Sequence, residues 1–137
     1  MNPRISLVTL GVADVDRSAA FYEALGLPRM DWEGDEVAFF TLEGTWLGLY
    51  RRDLLDEEVH AEEPVGPGYD DGFGGVTLAH NVESADAVDA VLDEAEDAGA
   101  DIVQPGVERD WGGYSGYFAD PDGHHWEVAW NPHFEMG

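Results

Sequence analysis

One short segment of this chain occurs twice, about half a chain apart. Val8-Thr9-Leu10 recurs as Val76-Thr77-Leu78 in a sequence of 137 residues. A repeat at such a distance indicates a duplicated structural unit, so each half must build the same order of elements. We therefore expect two similar modules within one domain, which is also the number of domains that this length favours.

The first copy begins with a predicted strand at Ile5–Val12. A helix follows it, from a cap at Asp14 or Asp16 to a stop at Gly26. Aspartate is a preferred helix cap, and glycine commonly follows the last turn of a helix. The first half is therefore predicted to open with a strand and a helix.

The second copy begins with a predicted strand at Gly75–Val82. Ser84 caps the next helix and Gly99 ends it. The apolar residues of this helix share one face at helical spacing, namely Val88, Val91, Leu92 and Ala95. The second half thus repeats the order of the first.

Short strands are predicted after each helix, near Asp35–Leu42, Thr45–Tyr50, Ile102–Val103, Tyr114–Ala119 and His124–Trp130. The predicted architecture is α+β, with two tandem βαβββ modules whose helices cover one face of each sheet. Module one spans about residues 1–52, a connection rich in Gly, Pro and acidic residues spans about 53–72, and module two spans about 73–137. A helical turn at Asp53–Val59 stays open as an alternative within the connection.

The charge balance is the strongest compositional feature. Thirty Asp and Glu residues face six Arg and no Lys, which gives a formal net charge of −24. Such a charge destabilises the compact state by self-repulsion unless salt screens it. We therefore expect a halophilic protein with an acidic surface. The same surface repels nucleic acid, so a nucleic-acid partner is not expected.

Cysteine is absent, which excludes disulfides, thiolate nucleophiles and zinc–thiolate sites. No apolar stretch reaches the ~18 residues of a membrane helix, and no signal peptide is visible. We expect a cytoplasmic protein without a membrane partner.

Two motifs resemble those of a known superfamily. Val12-Ala13-Asp14 and Ser18–Leu27 look like its first-module signature, a strand ending in V-x-D and a helix that here reads S-x-x-F-Y-x-x-L-G. Tyr117–Val128 resembles its closing signature, Y-F-x-D-P-D-G-x-x-x-E. With the internal repeat, these motifs make the chain similar to the vicinal-oxygen-chelate superfamily of glyoxalases, bleomycin-resistance proteins and extradiol dioxygenases.

The resemblance implies that the two modules pair so that their sheets form a cleft. Many members hold a divalent metal there with His or Glu ligands, one from the first strand and one from the last strand of each module. Other members bind small molecules without metal. Clefts in this superfamily are often completed across a dimer, so the resemblance also implies a homodimer.

Most of the ligand positions that the resemblance implies hold residues that cannot bind metal. The first-strand position falls on Leu7, and the repeat places Gly75 at the matching position in the second half. Alignment of the turn glycines before the last strands pairs Glu127 with Gly48. One carboxylate cannot hold a catalytic divalent ion, which needs about three protein ligands. We therefore expect no cofactor.

A relocated metal site stays open as an alternative. Strand alternation puts His125 and Glu127 on one face, which makes them weak candidates for metal ligands. His80 shares the parity of Leu78 and is expected at the helix layer or the strand end, while His124 and His133 are expected to be hydrogen-bonded or solvated.

Glu127 has two open interpretations if no metal is bound. In a partly apolar cleft it would be a candidate catalytic acid or base. The alternative is a carboxylate held by Arg109, His125 or a backbone amide.

The other residues expected to line the cleft are uncharged, aromatic or small: Leu7, Thr9, Trp46, Gly48, Tyr50, Gly75, Thr77, Trp111, Tyr114 and His125. In the loop Trp111-Gly112-Gly113-Tyr114, paired glycines permit a large ring to move. Such a composition suits flat or apolar small molecules. The alternative is that the rings only fill the space that a metal would have occupied.

Three functions remain open from the sequence. The first is metal-free binding of a small organic molecule. The second is a glyoxalase-like or dioxygenase-like lyase, isomerase or oxygenase, with Glu127 as acid or base or as part of a relocated metal site. The third is a structural or interaction module.

The charge balance generates a prediction about salt. We expect the thermal unfolding midpoint to rise between about 0.1 M and molar KCl, because the screening length falls from roughly 10 Å to roughly 3 Å. Differential scanning calorimetry measures this midpoint, with sucrose at matched osmolality as the uncharged control. A midpoint that responds equally to sucrose and KCl would contradict the charge argument.

Overall fold

A computed structural model describes residues 1–32, 34–60 and 76–133. The chain falls into two compact units, residues 1–72 and 73–137, which we call the first and second units. The elements in chain order are β1 Leu7–Val12, α1 Val15–Ala24, β2 Val37–Phe40, β3 Trp46–Arg51, α2 Arg52–His60, β4 Thr77–Asn81, α3 Ala85–Ala98, β5 Asp101–Glu108, β6 Tyr114–Ala119 and β7 His125–Trp130.

The sheet of the first unit has the order β1-β3-β2. Strand β1 runs parallel to β3, and β2 runs antiparallel to it. Helix α1 begins at Asp14, whose carboxylate accepts the N–H of Arg17 at 3.0 Å, and Gly26 turns the chain away with φ +94°. Of the two caps left open by the sequence, Asp14 is therefore the one used.

One face of this sheet packs against α1. Alternation in β1 and β3 buries Leu10, Val12, Leu47 and Leu49, while their neighbours stay on the other face. The Tyr22 ring of α1 is fully buried and lies 5.9 Å from the Phe40 ring in an edge-on contact. Two-residue alternation thus gives the first unit a packed helix face and an open face.

The sheet of the second unit has the order β4-β7-β6-β5, with β4 parallel to β7 and the other pairs antiparallel. Helix α3 begins at Ser84, whose hydroxyl accepts the N–H of Ala87 at 3.1 Å, and ends at Gly99 in the left-handed conformation. Its buried stripe packs on the sheet over residues that include Phe118 and Val128. No helix in the described ranges is long and apolar enough to cross a membrane.

The α+β architecture is confirmed, and the second unit follows the predicted βαβββ order. The first unit has an isolated bridge between Arg29 and Phe40 where a further strand would lie. Strand β5 is longer than predicted and carries two register irregularities. The one between Gln104 and Val107 contains Pro105, which cannot donate to a sheet ladder. The segment expected as a connection begins with a nine-residue helix, α2. Gly44 and Gly123 both have positive φ in the turns before the last strands, as duplicated units require.

The core of the second unit generates a stability prediction. Val128 is 0% exposed, whereas Val103 in the same sheet is 53% exposed. We expect Val128→Ala to lower the free energy of unfolding by roughly 2 kcal/mol, because it leaves a cavity, and Val103→Ala to lower it by less than about 0.5 kcal/mol. Denaturant titrations in molar KCl measure both values. Equal effects of the two substitutions would show that β7 does not pack as described.

Candidate functional site

The open face of the first unit carries all five of the cleft residues that were expected from the first half. Leu7 and Thr9 of β1 lie beside Trp46 and Gly48 of β3, and Tyr50 follows on the same face. A Cβ placed on Gly48 would lie 3.4 Å from Thr9 Oγ1 and 3.5 Å from Leu7 Cδ1. These side chains therefore share one surface, and Gly48 leaves a depression in it because glycine has no side chain.

Helix α2 covers one end of this face. A Cβ placed on Gly11 would lie 3.4–3.5 Å from atoms of Arg52, which begins α2 and so covers the far end of β1. Leu7 and Trp46 at the near end are 39% and 40% exposed. Exposure of this size means that the two side chains do not form a closed core.

A cavity of about 750 Å³ lies at this open end. Its described lining is mostly apolar or aromatic, with two hydroxyl residues and one cation: Arg4, Ile5, Ser6, Leu7, Met30, Trp32, Phe39, Gly44, Thr45 and Trp46. Its volume falls in the range of roughly 300–1,000 Å³ that is typical of small-molecule sites.

Backbone hydrogen bonds position the walls of the cavity. On one side, Ser6 O accepts the Trp46 N–H at 3.0 Å, which continues the β1–β3 ladder toward the N-terminus. On the other side, the Met30 N–H donates to Phe39 O at 2.8 Å and holds the segment after α1 along β2. The Trp32 ring then meets the Phe39 ring edge-on at 5.3 Å. Sequence analysis missed Met30, Trp32 and Phe39; the parity of Phe39 with Val37 could have indicated its face.

The face of the second-unit sheet away from α3 carries Glu127. Strand register places Glu127 beside Ala79 of β4 and opposite Tyr117 of β6, and places His125 beside Thr77. The Tyr117 hydroxyl donates to Glu127 Oε2 at 3.2 Å. Glu127 is thus held by a tyrosine, which was not among the partners expected for it.

Arg109 is fixed next to this pair by three hydrogen bonds. Its Nε donates to Ser115 Oγ at 2.8 Å, and one terminal nitrogen donates to Ser115 O at 3.0 Å and to Gln104 Oε1 at 2.8 Å. The guanidinium carbon lies 5.8 Å from the centre of the Tyr117 ring. A cation, a phenol and a carboxylate therefore follow one another across this face.

The pKa of Tyr117 is raised above its ordinary value of 10.0. Burial is the main cause, followed by the charge of Glu127 and the hydrogen bond to it, while the Arg109 charge acts in the opposite direction. The phenol therefore remains a neutral hydrogen-bond donor at neutral pH, directed at the carboxylate.

Two expectations about the second unit are corrected. Tyr114 does not lie on the same face as Glu127, because its hydroxyl donates to Asp89 Oδ1 of α3 at 2.8 Å. The residue that matches Leu7 is Thr77, because Thr77 pairs with His125 as Leu7 pairs with Trp46. The repeat alone suggested Gly75, which lies outside the described residues.

Trp111 lies in a short turn of the second unit. The Arg109 N–H donates to Gly113 O at 2.9 Å, and the Gly112 N–H donates to Arg109 O at 3.0 Å. The Trp111 ring covers Gly113, where any larger residue would collide with it. Glycine at 113 is therefore required by the close approach of the ring.

The residues present do not fit the metal that the superfamily implies. The corresponding positions hold Leu7, Gly48, Thr77 and Glu127, so a single carboxylate is the only strong donor. Within the described ranges, no group of three or more His, Cys, Asp or Glu side chains is placed to hold a metal ion. The exposed His80 pairs in register with Val128, on the α3 side of the sheet.

The Tyr117–Glu127 pair generates a prediction about alkaline pH. We expect Glu127→Gln to lower the pKa of Tyr117, because the substitution removes a negative charge while burial remains. Alkaline ultraviolet difference titration measures the shift, with Tyr117→Phe to identify the signal. Asp89→Asn is the matched control, since it should lower the pKa of Tyr114, which its hydrogen bond to Asp89 chiefly raises, and leave Tyr117 unchanged.

The sign of the stability effect follows from the same shift. Because the pKa of Tyr117 lies above its ordinary 10.0, the contribution of the neutral hydroxyl is fully present below pH 10 and is lost as the pH rises through the folded-state value. If Glu127→Gln leaves the measured pKa of Tyr117 unchanged, the hydrogen bond between Tyr117 and Glu127 is contradicted.

The chain is similar to known proteins over most of its length. A family model described as the Glyoxalase/Bleomycin resistance protein/Dioxygenase superfamily matches residues 4–128. The chain is 32% identical over 126 residues to a protein named metallothiol transferase FosB from Shouchella clausii, covering 90% of this chain and 77% of that protein.

Solved structures give the same result. A glyoxalase-related enzyme from Fulvimarina pelagi is 32% identical with a TM-score of 0.84, over 98% of this chain and 93% of that one. A lactoylglutathione lyase from Agrobacterium tumefaciens is 21% identical with a TM-score of 0.70 over 98% of both chains, which shows the fold alone. With its duplicated units and a match across residues 4–128, this chain belongs to the glyoxalase/bleomycin resistance protein/dioxygenase superfamily.

Proposed function

We propose that this protein binds a small organic molecule with an aromatic or apolar body on the open face of the first unit, without a metal ion. The observation that carries the proposal is the cavity of about 750 Å³ at the Leu7–Trp46 end of the sheet. Leu7 occupies the first-strand position where the superfamily commonly places a ligand, so an apolar wall stands where a metal donor would be needed.

The walls of the cavity favour a flat ligand. Trp46 stands exposed on one side, and Trp32 and Phe39 meet edge-on on the other. Aromatic rings contribute both buried area and about 0.5–1.5 kcal/mol of specific ring contact. Burial of roughly 100 Å² of apolar ligand surface would contribute about 2.5 kcal/mol more. These contributions suit modest, specific binding of an aromatic compound.

A second candidate function is supported by the Tyr117–Glu127 contact. A carboxylate at 3.2 Å from a phenol forms an acid–base pair that could move a proton on a bound substrate. The structural relatives include a protein named as a lyase, which makes turnover of lactoylglutathione a direct probe. Turnover by metal-depleted protein that Glu127→Gln abolishes would favour this candidate over binding alone.

The binding proposal predicts the behaviour of a neutral aromatic probe. We expect 2-naphthamide to bind the metal-depleted protein in molar KCl, and Trp46→Ala to weaken its binding about fivefold through loss of a ring contact. Isothermal titration calorimetry measures both affinities. Trp46 is already exposed, so the substitution should leave the fold intact.

The matched control is Val59→Ala, which removes an exposed apolar side chain of the same unit outside the cavity lining. It should bind the probe as the parent protein does. Absence of probe binding, or binding that Trp46→Ala leaves unchanged, would overturn the proposal. So would elemental analysis that finds about one tightly held metal ion per chain, retained after a high-salt wash and lost in Glu127→Gln.

Three further expectations accompany this proposal and remain predictions. The halophilic character rests on the net charge of −24. The homodimer and the cytoplasmic location rest on the superfamily resemblance and on the sequence. A structural or interaction role is the remaining alternative, because exposed apolar patches also mark contacts with other proteins.

A further inference from the structure

We propose that the ligand of the first-unit cavity is an aromatic acid, whose ring lies among Trp32, Phe39 and Trp46 and whose anionic group pairs with Arg4. This inference rests on the proposed function, because it adds an anionic group to the ring that the cavity would bind. The observation behind it is the placement of a single cation among described lining residues that are otherwise uncharged.

The position of Arg4 is set by the residues that follow it in the chain. The Thr45 hydroxyl donates to Ile5 O at 2.7 Å, and the Trp46 N–H donates to Ser6 O at 3.0 Å. These two bonds tie the residues directly after Arg4 to the start of β3. Arg4 is therefore carried to the wall next to Trp46 by the same ladder that builds the ring site.

Charge sets Arg4 apart from the other lining residues. Among the described residues that line the cavity, Arg4 is the only charged one. The whole chain has six cationic residues against thirty acidic ones. Cations elsewhere in the described chain serve internal contacts, as Arg29 does with Glu23 at 3.2 Å and Arg109 with Ser115 at 2.8 Å.

An anionic ligand needs a local cation on this protein more than on most. A net charge of −24 repels anions at long range, so an acid gains nothing from the protein as a whole. A guanidinium matches a carboxylate with two parallel hydrogen bonds, and nearby apolar walls strengthen the pair by lowering the local dielectric constant. Arg4 supplies such a partner at the edge of the aromatic surface.

The test compares two probes of the same shape that differ in charge. We use 2-naphthoate and 2-naphthamide, titrated calorimetrically in molar KCl, where the long-range repulsion is screened to roughly 3 Å. We expect the parent protein to prefer the carboxylate by roughly threefold to fivefold, the range of an exposed ion pair. Arg4→Gln should remove this preference and leave the affinity for the amide unchanged.

Arg51→Gln is the matched control. It also removes one cation from the first unit, but Arg51 pairs with Asp53 and does not line the cavity. The carboxylate preference should survive in this variant. If Arg51→Gln lowers the preference as much as Arg4→Gln does, net charge rather than Arg4 selects the ligand, and the inference is wrong.

The remaining outcomes separate this inference from the proposed function. If both probes bind the parent protein equally and Arg4→Gln changes neither, the ring site stands and the aromatic-acid inference fails. If neither probe binds, the proposed function fails and the inference fails with it. A preference for the amide in the parent protein would also overturn the inference, because it would show that the cavity repels anions.

Discussion

The packing of one helix on one face of each sheet is the constraint on which the rest of this structure depends. Leu10, Leu49 and Phe40 are buried in the core between α1 and the first sheet. Val128 and Phe118 are buried in the core between α3 and the second sheet. Side chains alternate along a strand, so every residue committed to the helix layer places its neighbours on the opposite face. Leu7, Trp46 and Glu127 are available for function because their neighbours are needed for the core.

The two open faces carry different chemistry although the units are duplicates. The face of the first unit is aromatic and apolar, with Arg4 at its edge. The face of the second unit carries Glu127, which accepts a hydrogen bond from Tyr117, and Arg109, whose guanidinium lies over the Tyr117 ring. Leu7 and Thr77 occupy the two first-strand positions, so these positions lack the donors that a divalent ion would need. The duplicated scaffold thus keeps its fold while the faces diverge, as expected when function resides in grafted side chains.

The acidic composition acts on a different scale from these contacts. A charge of −24 affects the whole chain at long range and is weakened by salt. Contacts such as Arg109 to Ser115 at 2.8 Å act at hydrogen-bond distance, where mobile ions do not intervene. The chain has only six cationic residues, so a cation next to a candidate site is notable. Arg4 lines the cavity, and Arg109 lies beside Tyr117.

The sequence by itself determined the duplicated α+β fold, the Ser84 cap of α3 and the face on which Glu127 lies, because alternation, capping and turn signals are local. It could not determine contacts between segments distant in sequence. Strand register decided that Thr77 rather than Gly75 matches Leu7, and the contact with Asp89 placed Tyr114 on the α3 side. The cavity needed residues from β1, β2, β3 and the segment after α1 to meet. Tertiary packing alone brings Arg4 and Trp32 to one concavity, since no local pattern records which distant segments become neighbours.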